Sequence, residues 1–269
     1  MPIIAARAFA RRRAVVLALP VLLAASAGCD VMTADLRHTE TAEWRKTYEL
    51  APTGRVEIAN VNGRIHVQPS TGTSVEVVAV KTARGATADA ARQNLGRIEI
   101  RDESSTQGVK VSTHVTRTGG WLSGGGEVAY TVKVPPAADV HFTTVNGGLE
   151  LTGLSGRVVA ETTNGGVVAR EISGPIEATT TNGGVSVDLA AVASGGSKLG
   201  CTNGGLKLRL PGDARATISA SVTNGGIDVN GLRLETTQST RRRLEGTLNG
   251  GGPLIRIEGT NGGIELARR

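Results

Sequence analysis

The sequence predicts an all-β chain, a β-solenoid or β-helix-like stack of short strands with Asn-Gly-Gly turns and one short helix in its N-terminal half. Three observations carry this. Asn-Gly recurs at Asn146, Asn164, Asn182, Asn203, Asn224, Asn249 and Asn261, at spacings of 18, 18, 21, 21, 25 and 12, always with a second Gly, and an earlier outlier sits at Asn62-Gly63. Repeats of this length mark stacked architectures. Apolar residues alternate on both sides of these turns, as in strands with one buried face. Aromatic residues are confined to Phe9, Trp44, Tyr48, Trp121, Tyr130 and Phe142, so the core must be thin and built from Val, Ile, Leu, Ala and Thr.

In chain order, residues 1–28 read as a lipoprotein-type signal peptide: Arg7, Arg11, Arg12 and Arg13 precede an apolar run from Ala14 to Ala27 that ends in small residues. A membrane-crossing helix needs roughly 20 apolar residues. This run is shorter and contains Pro20, so it reads as removed. Ser26-Ala27-Gly28-Cys29 resembles the lipobox of bacterial lipoproteins, in which the Cys thiol is joined to diacylglycerol; ordinary signal cleavage at Ala27 or Gly28 is the competing reading. The resemblance implies that Cys29 is a lipid attachment site and that the membrane is a partner through it. Asp30 resembles the inner-membrane retention signal of some Gram-negative lipoproteins, and the choice between inner and outer membrane stays open.

Residues 29–46 read as a polar linker. Residues 47–140 read as an irregular β segment continuous with the stack, with strands over 54–58, 64–67, 74–80, 97–101, 109–115 and 128–134. The good helix formers of 87–95 predict the short helix. Gly119 to Gly126, around Trp121, reads as a loop, and Pro135-Pro136 closes the last strand before the regular stack.

Residues 141–269 read as regular solenoid repeats. Before each Asn the inward positions are Val140, Phe142 and Thr144, then Val158, Ala160 and Thr162, then Ile176, Ala178 and Thr180; after it come pairs such as Val167 and Ala169 or Val185 and Val187. One rung is strand, Ser-Gly turn, strand, Asn-Gly-Gly turn. It cannot bury its apolar face alone, so rungs stack about 4.8 Å apart, with Asn over Asn so that amides can hydrogen-bond along a ladder. A meander of hairpins is the competitor, because Asn-Gly is also a hairpin signal. The second Gly and the same-direction recurrence favour the solenoid.

Composition excludes several function classes. The formal charge of +6 comes from 30 basic and 24 acidic residues, and removal of the four leader Arg leaves 26 against 24. A net charge near +2 gives no reason to expect a nucleic-acid partner. Arg241-Arg242-Arg243 reads as a solvated loop, with contact to anionic lipid or glycan as the alternative. Cys201 lies two residues before Asn203, in the column of Thr144, Thr162 and Thr180, which makes it a core residue. His38, His66, His114 and His141 show no ligand spacing, and the Asn-Gly-Gly turns lack the acidic residues of calcium-binding repeats, so neither metal nor cofactor is expected. Glu161, Glu177, Asp188 and Asp228 read as scattered outward charges, with no catalytic residue among them. One outward feature is regular: Thr163, Thr181, Thr202, Thr223 and Thr260 each precede an Asn and form a candidate binding file for ice or a repetitive glycan, β-branched preference at strand ends being the plainer reason for Thr there.

The strand pair around Val56-Glu57-Ile58-Ala59-Asn60-Val61-Asn62-Gly63-Arg64-Ile65, the short helix, Val128-Ala129-Tyr130-Thr131-Val132-Lys133-Val134-Pro135-Pro136 and then the Asn-Gly-Gly repeats together resemble the bacterial putative adhesin family with a DUF4097-type domain, over roughly residues 50–266. The resemblance implies a solenoid and export, and supplies no catalytic residues. The expected function is a non-enzymatic, membrane-anchored envelope protein presenting a repetitive β surface to an envelope glycan or protein. The alternatives are a degenerate carbohydrate-active β-helix enzyme and an envelope-stress accessory with a signalling partner. Oligomeric state is left open.

Overall fold

The structure is a computed structural model that describes residues 38–51, 53–116 and 126–269. The leader, Cys29, the first part of the linker and most of the loop around Trp121 lie outside the described residues. The strands are β1 (His38–Glu49), β2 (Arg55–Ala59), β3 (Ile65–Pro69) and β4 (Ser74–Gly85), then helix α1 (Ala88–Gly96), then β5 (Ile98–Ser105), β6 (Gly108–Val115) and β7 (Glu127–Val134). The repeats follow as β8 (Asp139–Asn146), β9 (Leu149–Thr152), β10 (Val158–Asn164), β11 (Val167–Ile172), β12 (Ile176–Asn182), β13 (Val185–Leu189), β14 (Ser197–Asn203) and β15 (Leu206–Leu210). The C-terminal elements are β16 (Ala216–Asn224), β17 (Ile227–Asn230), β18 (Leu234–Ser239), β19 (Arg243–Leu248), β20 (Leu254–Asn261) and β21 (Ile264–Arg268).

Two sheets face each other across a thin core. The first has the order β1-β4-β7-β3-β9-β11-β13-β15-β21-β17 and the second β18-β19-β16-β20-β14-β12-β10-β8-β2-β6-β5. From β8 to β15, and on through β20, β21, β16 and β17, neighbouring rungs are parallel with Asn over Asn, so the stack is a solenoid, whereas the hairpin β18–β19 pairs antiparallel with β16 and interrupts the regular repeats expected over 141–269. Period-two alternation becomes columns: Val140, Val158, Ile176, Ser197 and Ile255 lie in one inward file of the second sheet, and Leu149, Val167, Val185, Leu206 and Ile264 in one of the first, all buried. Phe142 and Leu199 flank the small Ala160 and Ala178 in the next file, which lets a narrow core close without further aromatic bulk.

Two further features depart from the sequence reading. Residues 38–46, expected as linker, belong to β1, which pairs antiparallel with β4 along its whole length. Its alternation is masked because β1 is an edge strand with charged residues on both faces. The rungs are also out of chain order. After β14 and β15 the chain skips a slot to lay down β16 and β17, and the C-terminal pair β20 and β21 fills the gap.

The N-terminal end is closed by antiparallel strands and by α1, whose N-cap Thr87 accepts a hydrogen bond from the Ala90 N–H. The helix packs on β1 and β4, with Ala91 buried. Lys46 and Tyr48 of β1 reach Asp102 of β5 at 2.5 and 3.0 Å, tying one sheet to the other. Burial and the Asp102 carboxylate push the Tyr48 phenol above its ordinary value. Tyr130, hydrogen-bonded to Thr113 at 2.7 Å, is pushed up to about 12 by burial.

Candidate functional site

The stack builds an edge from the Asn-Gly-Gly turns. Asn224 donates to Asn261, Asn261 to Asn203, Asn203 to Asn182, Asn182 to Asn164, Asn164 to Asn146 and Asn146 to Asn62, at 2.7 to 2.9 Å, and Asn62 donates to the Gly126 carbonyl at 3.1 Å. Every amide points the same way, so the bonds polarise one another. Each internal amide spends one N–H and one lone pair on the ladder and keeps the others for solvent or a ligand.

The first Gly of each turn is a steric necessity. Gly183 has φ +144, and a Cβ there would collide with the Gly165 carbonyl oxygen of the rung below. The second Gly is not: at Gly205 a Cβ would lie 3.8 Å from its nearest neighbour, the Gly263 oxygen. The second glycines leave bare backbone beside the ladder. Gly166, Gly184, Gly205 and Gly263 line a trough of about 880 Å³, walled by Val168, Ser186, Lys207, Glu265 and Asp228.

Behind the ladder, Thr162 and Thr180 donate to the carbonyls of Gly147 and Gly165 at 2.9 and 2.8 Å, and the Cys201 thiol donates to Gly183 at 3.0 Å. Cys201 is 5% exposed, and burial pushes its thiol pKa up, against a smaller opposing effect of the Asn203 backbone. The group is a thiol at neutral pH and holds the corner together.

In front of the ladder stand the five Thr. Out-of-order stacking places them on successive rungs as Thr163, Thr181, Thr202, Thr260 and Thr223, all exposed. The file continues towards β2 as Val145, itself 44% exposed. Asn249 is set apart. It follows β19, has φ +51, and donates to the carbonyls of Gly212 and Ala214 at 3.2 and 2.8 Å. It is a loop closure and no part of the ladder, although its tripeptide matches the corners.

The outward acids are dispersed. Glu177 pairs with Lys198 at 2.8 Å, Asp188 lies 3.2 Å from Arg269, and Glu161 and Asp228 are exposed. Among the described residues no group of three or more His, Cys, Asp or Glu side chains could hold a metal ion. A groove of about 500 Å³ lies at the opposite corner, between Arg157, Glu177, Lys198 and Arg256. This groove is invisible in the sequence, because its residues come from four rungs at unequal spacing.

A stack that repeats the same polar side chains outward on rung after rung is a β-solenoid repeat protein with a regular polar edge, and that is the class defined by this fold. The chain matches the family described as Toastrack DUF4097 over residues 56–267 and belongs to that family. No curated protein matches the sequence. Among solved structures, it is similar to a putative cell adhesion protein from Clostridium sporogenes at 10% identity and TM-score 0.48, covering 86% of this chain and 100% of that one. It is similar to a putative adhesin from Bacteroides fragilis at 10% identity and TM-score 0.36, covering 85% and 97%. A putative lipid binding protein from Parabacteroides distasonis aligns at 6% identity and TM-score 0.27, covering 84% and 96%.

Proposed function

We propose that this is a non-enzymatic envelope protein, anchored through lipid on Cys29, that binds an envelope polymer along its Asn-Gly-Gly edge. The observation that carries the reading is the unbroken file of Thr163, Thr181, Thr202, Thr260 and Thr223 beside the amide ladder. A polymer with its own repeat can match such a file at successive positions, so individually weak hydrogen bonds add through effective concentration. The trough beside the ladder gives an extended chain room to lie against backbone. No helix among the described residues is long and apolar enough to cross a membrane. Attachment in this reading therefore rests on acylation of Cys29, for which two or more chains are needed for stable anchoring. The nine positions from Cys29 to His38 span at most roughly 30 Å, which holds β1 close to the bilayer.

Affinity electrophoresis of the mature chain through gels containing soluble linear glycans tests the binding edge. Retardation by at least one glycan, reduced in Thr181→Val/Thr202→Val at unchanged melting temperature, is the expected result. Hydrolysis of any glycan that disappears in Glu161→Gln or Glu177→Gln would overturn the non-enzymatic reading. Metabolic labelling with a fatty acid should mark the wild type and not Cys29→Ser, and a membrane-bound, unlabelled Cys29→Ser product would overturn the anchor.

A further inference from the structure

Resting on the binding edge proposed above, we infer that its polymer is a linear acidic polysaccharide whose anionic groups are received by Arg241 and Arg242. These residues form the turn between β18 and β19, and the stack brings that turn to the end of the Thr file. The Val222 N–H donates to the Arg242 carbonyl at 2.9 Å and the Ile227 N–H to the Arg241 carbonyl at 3.1 Å, so the two arginines bracket the Thr223-Asn224 corner. Both side chains are exposed, and that of Arg241 lies over Gly226, the second Gly of the last corner.

Glu245 pairs with Arg243 at 2.7 Å and Glu265 with Lys207 at 2.8 Å, while Asp228 lines the trough and Glu235 is exposed on β18. Among the described residues no carboxylate lies within ion-pair distance of Arg241 or Arg242. Two guanidinium forks with no carboxylate partner among the described residues suit carboxylate or phosphate groups, which they hold in bidentate geometry. Exposed pairs of this kind are individually weak, and a polymer lying along the Thr file supplies the remaining contacts. A membrane surface fits less well. Peripheral membrane faces insert large apolar side chains, and on the terminal strand β17 the one exposed large hydrophobic residue is Val229.

Binding of the mature full chain carrying Cys29→Ser tests the inference, with polygalacturonate as the acidic probe, hydroxyethyl cellulose as the neutral one, and phosphatidylglycerol–phosphatidylcholine vesicles. Polygalacturonate should bind with an affinity that falls as salt rises. Arg241→Gln/Arg242→Gln should weaken it at least tenfold and remove most of the salt dependence at unchanged melting temperature. Thr181→Val/Thr202→Val should weaken it while leaving the salt dependence in place. Equal binding of both polymers, with no effect of the Arg pair but a loss in the Thr pair, would overturn the acidic class and leave the edge standing. Preference for the vesicles would overturn the polysaccharide in favour of a lipid surface. Absence of polymer binding, or polymer binding indifferent to both pairs, would overturn the edge along with it.

Discussion

At the scale of single residues, the corner assigns different work to chemically identical glycines. Gly183 sits at φ +144 with the Gly165 carbonyl where a side chain would begin, whereas Gly205 has room for a methyl group. Gly183→Ala should therefore cost at least about 2 kcal/mol, from strain and a forced shift between rungs, and Gly205→Ala should be close to neutral in urea unfolding. Equal costs would mean that both glycines serve the backbone. Cys201 offers a second comparison, since Thr162 and Thr180 fill equivalent positions and make the same bond to a corner carbonyl. Cys201→Thr should fold with unchanged or higher melting temperature, while Cys201→Asp should lose about 3–5 kcal/mol by burying an unpaired charge. A thiol reagent should modify the native protein only as fast as it opens, because burial raises the thiol pKa.

At the scale of elements, the last rung carries the most consequence. β20 and β21 pair on one side with β14 and β15 and on the other with β16 and β17, which lie 37 to 58 residues away by the Asn contacts. Such distant pairings form slowly and late. A chain ending at Pro253 should keep the rungs up to β15, lose cooperative protection of β16 to β19 in hydrogen exchange, and regain it when a peptide of residues 253–269 is added. Unchanged protection in the truncated chain would show that β16 and β17 close on β14 and β15 by themselves. This rung also marks how far the sequence could be read. Spacings of 18 and 21 follow the rung order only as far as Asn203, since the equal interval of 21 to Asn224 spans the skipped slot, while alternation defines which residues face inward, so the fold class and the inward columns were legible. Alternation is the same for every rung, however, and cannot say which neighbour a rung chooses. The spacings of 25 and 12 around Asn249 were the trace of the skipped slot, but the same tripeptide serves a corner and a loop closure. The Thr file was legible as a set; that Thr260 stands between Thr202 and Thr223 required the rung order.

At the scale of the whole described unit, a stack whose rungs contact only their neighbours is as stable as its ends allow. The N-terminal end is closed by the contact of Lys46 and Tyr48 with Asp102, the one place in that cap where side chains of β1 bridge to β5. The hydrogen bond from Lys46, helped by that from Tyr48, holds the Asp102 carboxyl below its ordinary range against partial desolvation, which pushes it up. A carboxyl with a folded pKa below its unfolded value of about 3.9 adds stability above that value and loses it as pH falls through the folded pKa. Glu76, lowered chiefly by its hydrogen bond from Lys133, titrates in the same direction on the surface of β4. Asp102→Asn isolates the bridge, since it keeps an acceptor for Lys46 and removes the titration. Wild type should be the more stable at pH 7, and the difference in urea midpoint should shrink as pH falls below about 4 and vanish once Asp102 is protonated in both states. The loss should appear first as hydrogen exchange in β1, β4 and β5, with the ladder from Asn146 to Asn224 still protected. A constant difference across that range would place the stabilising role of Asp102 in its packing and remove the charge from the account of how the stack is closed.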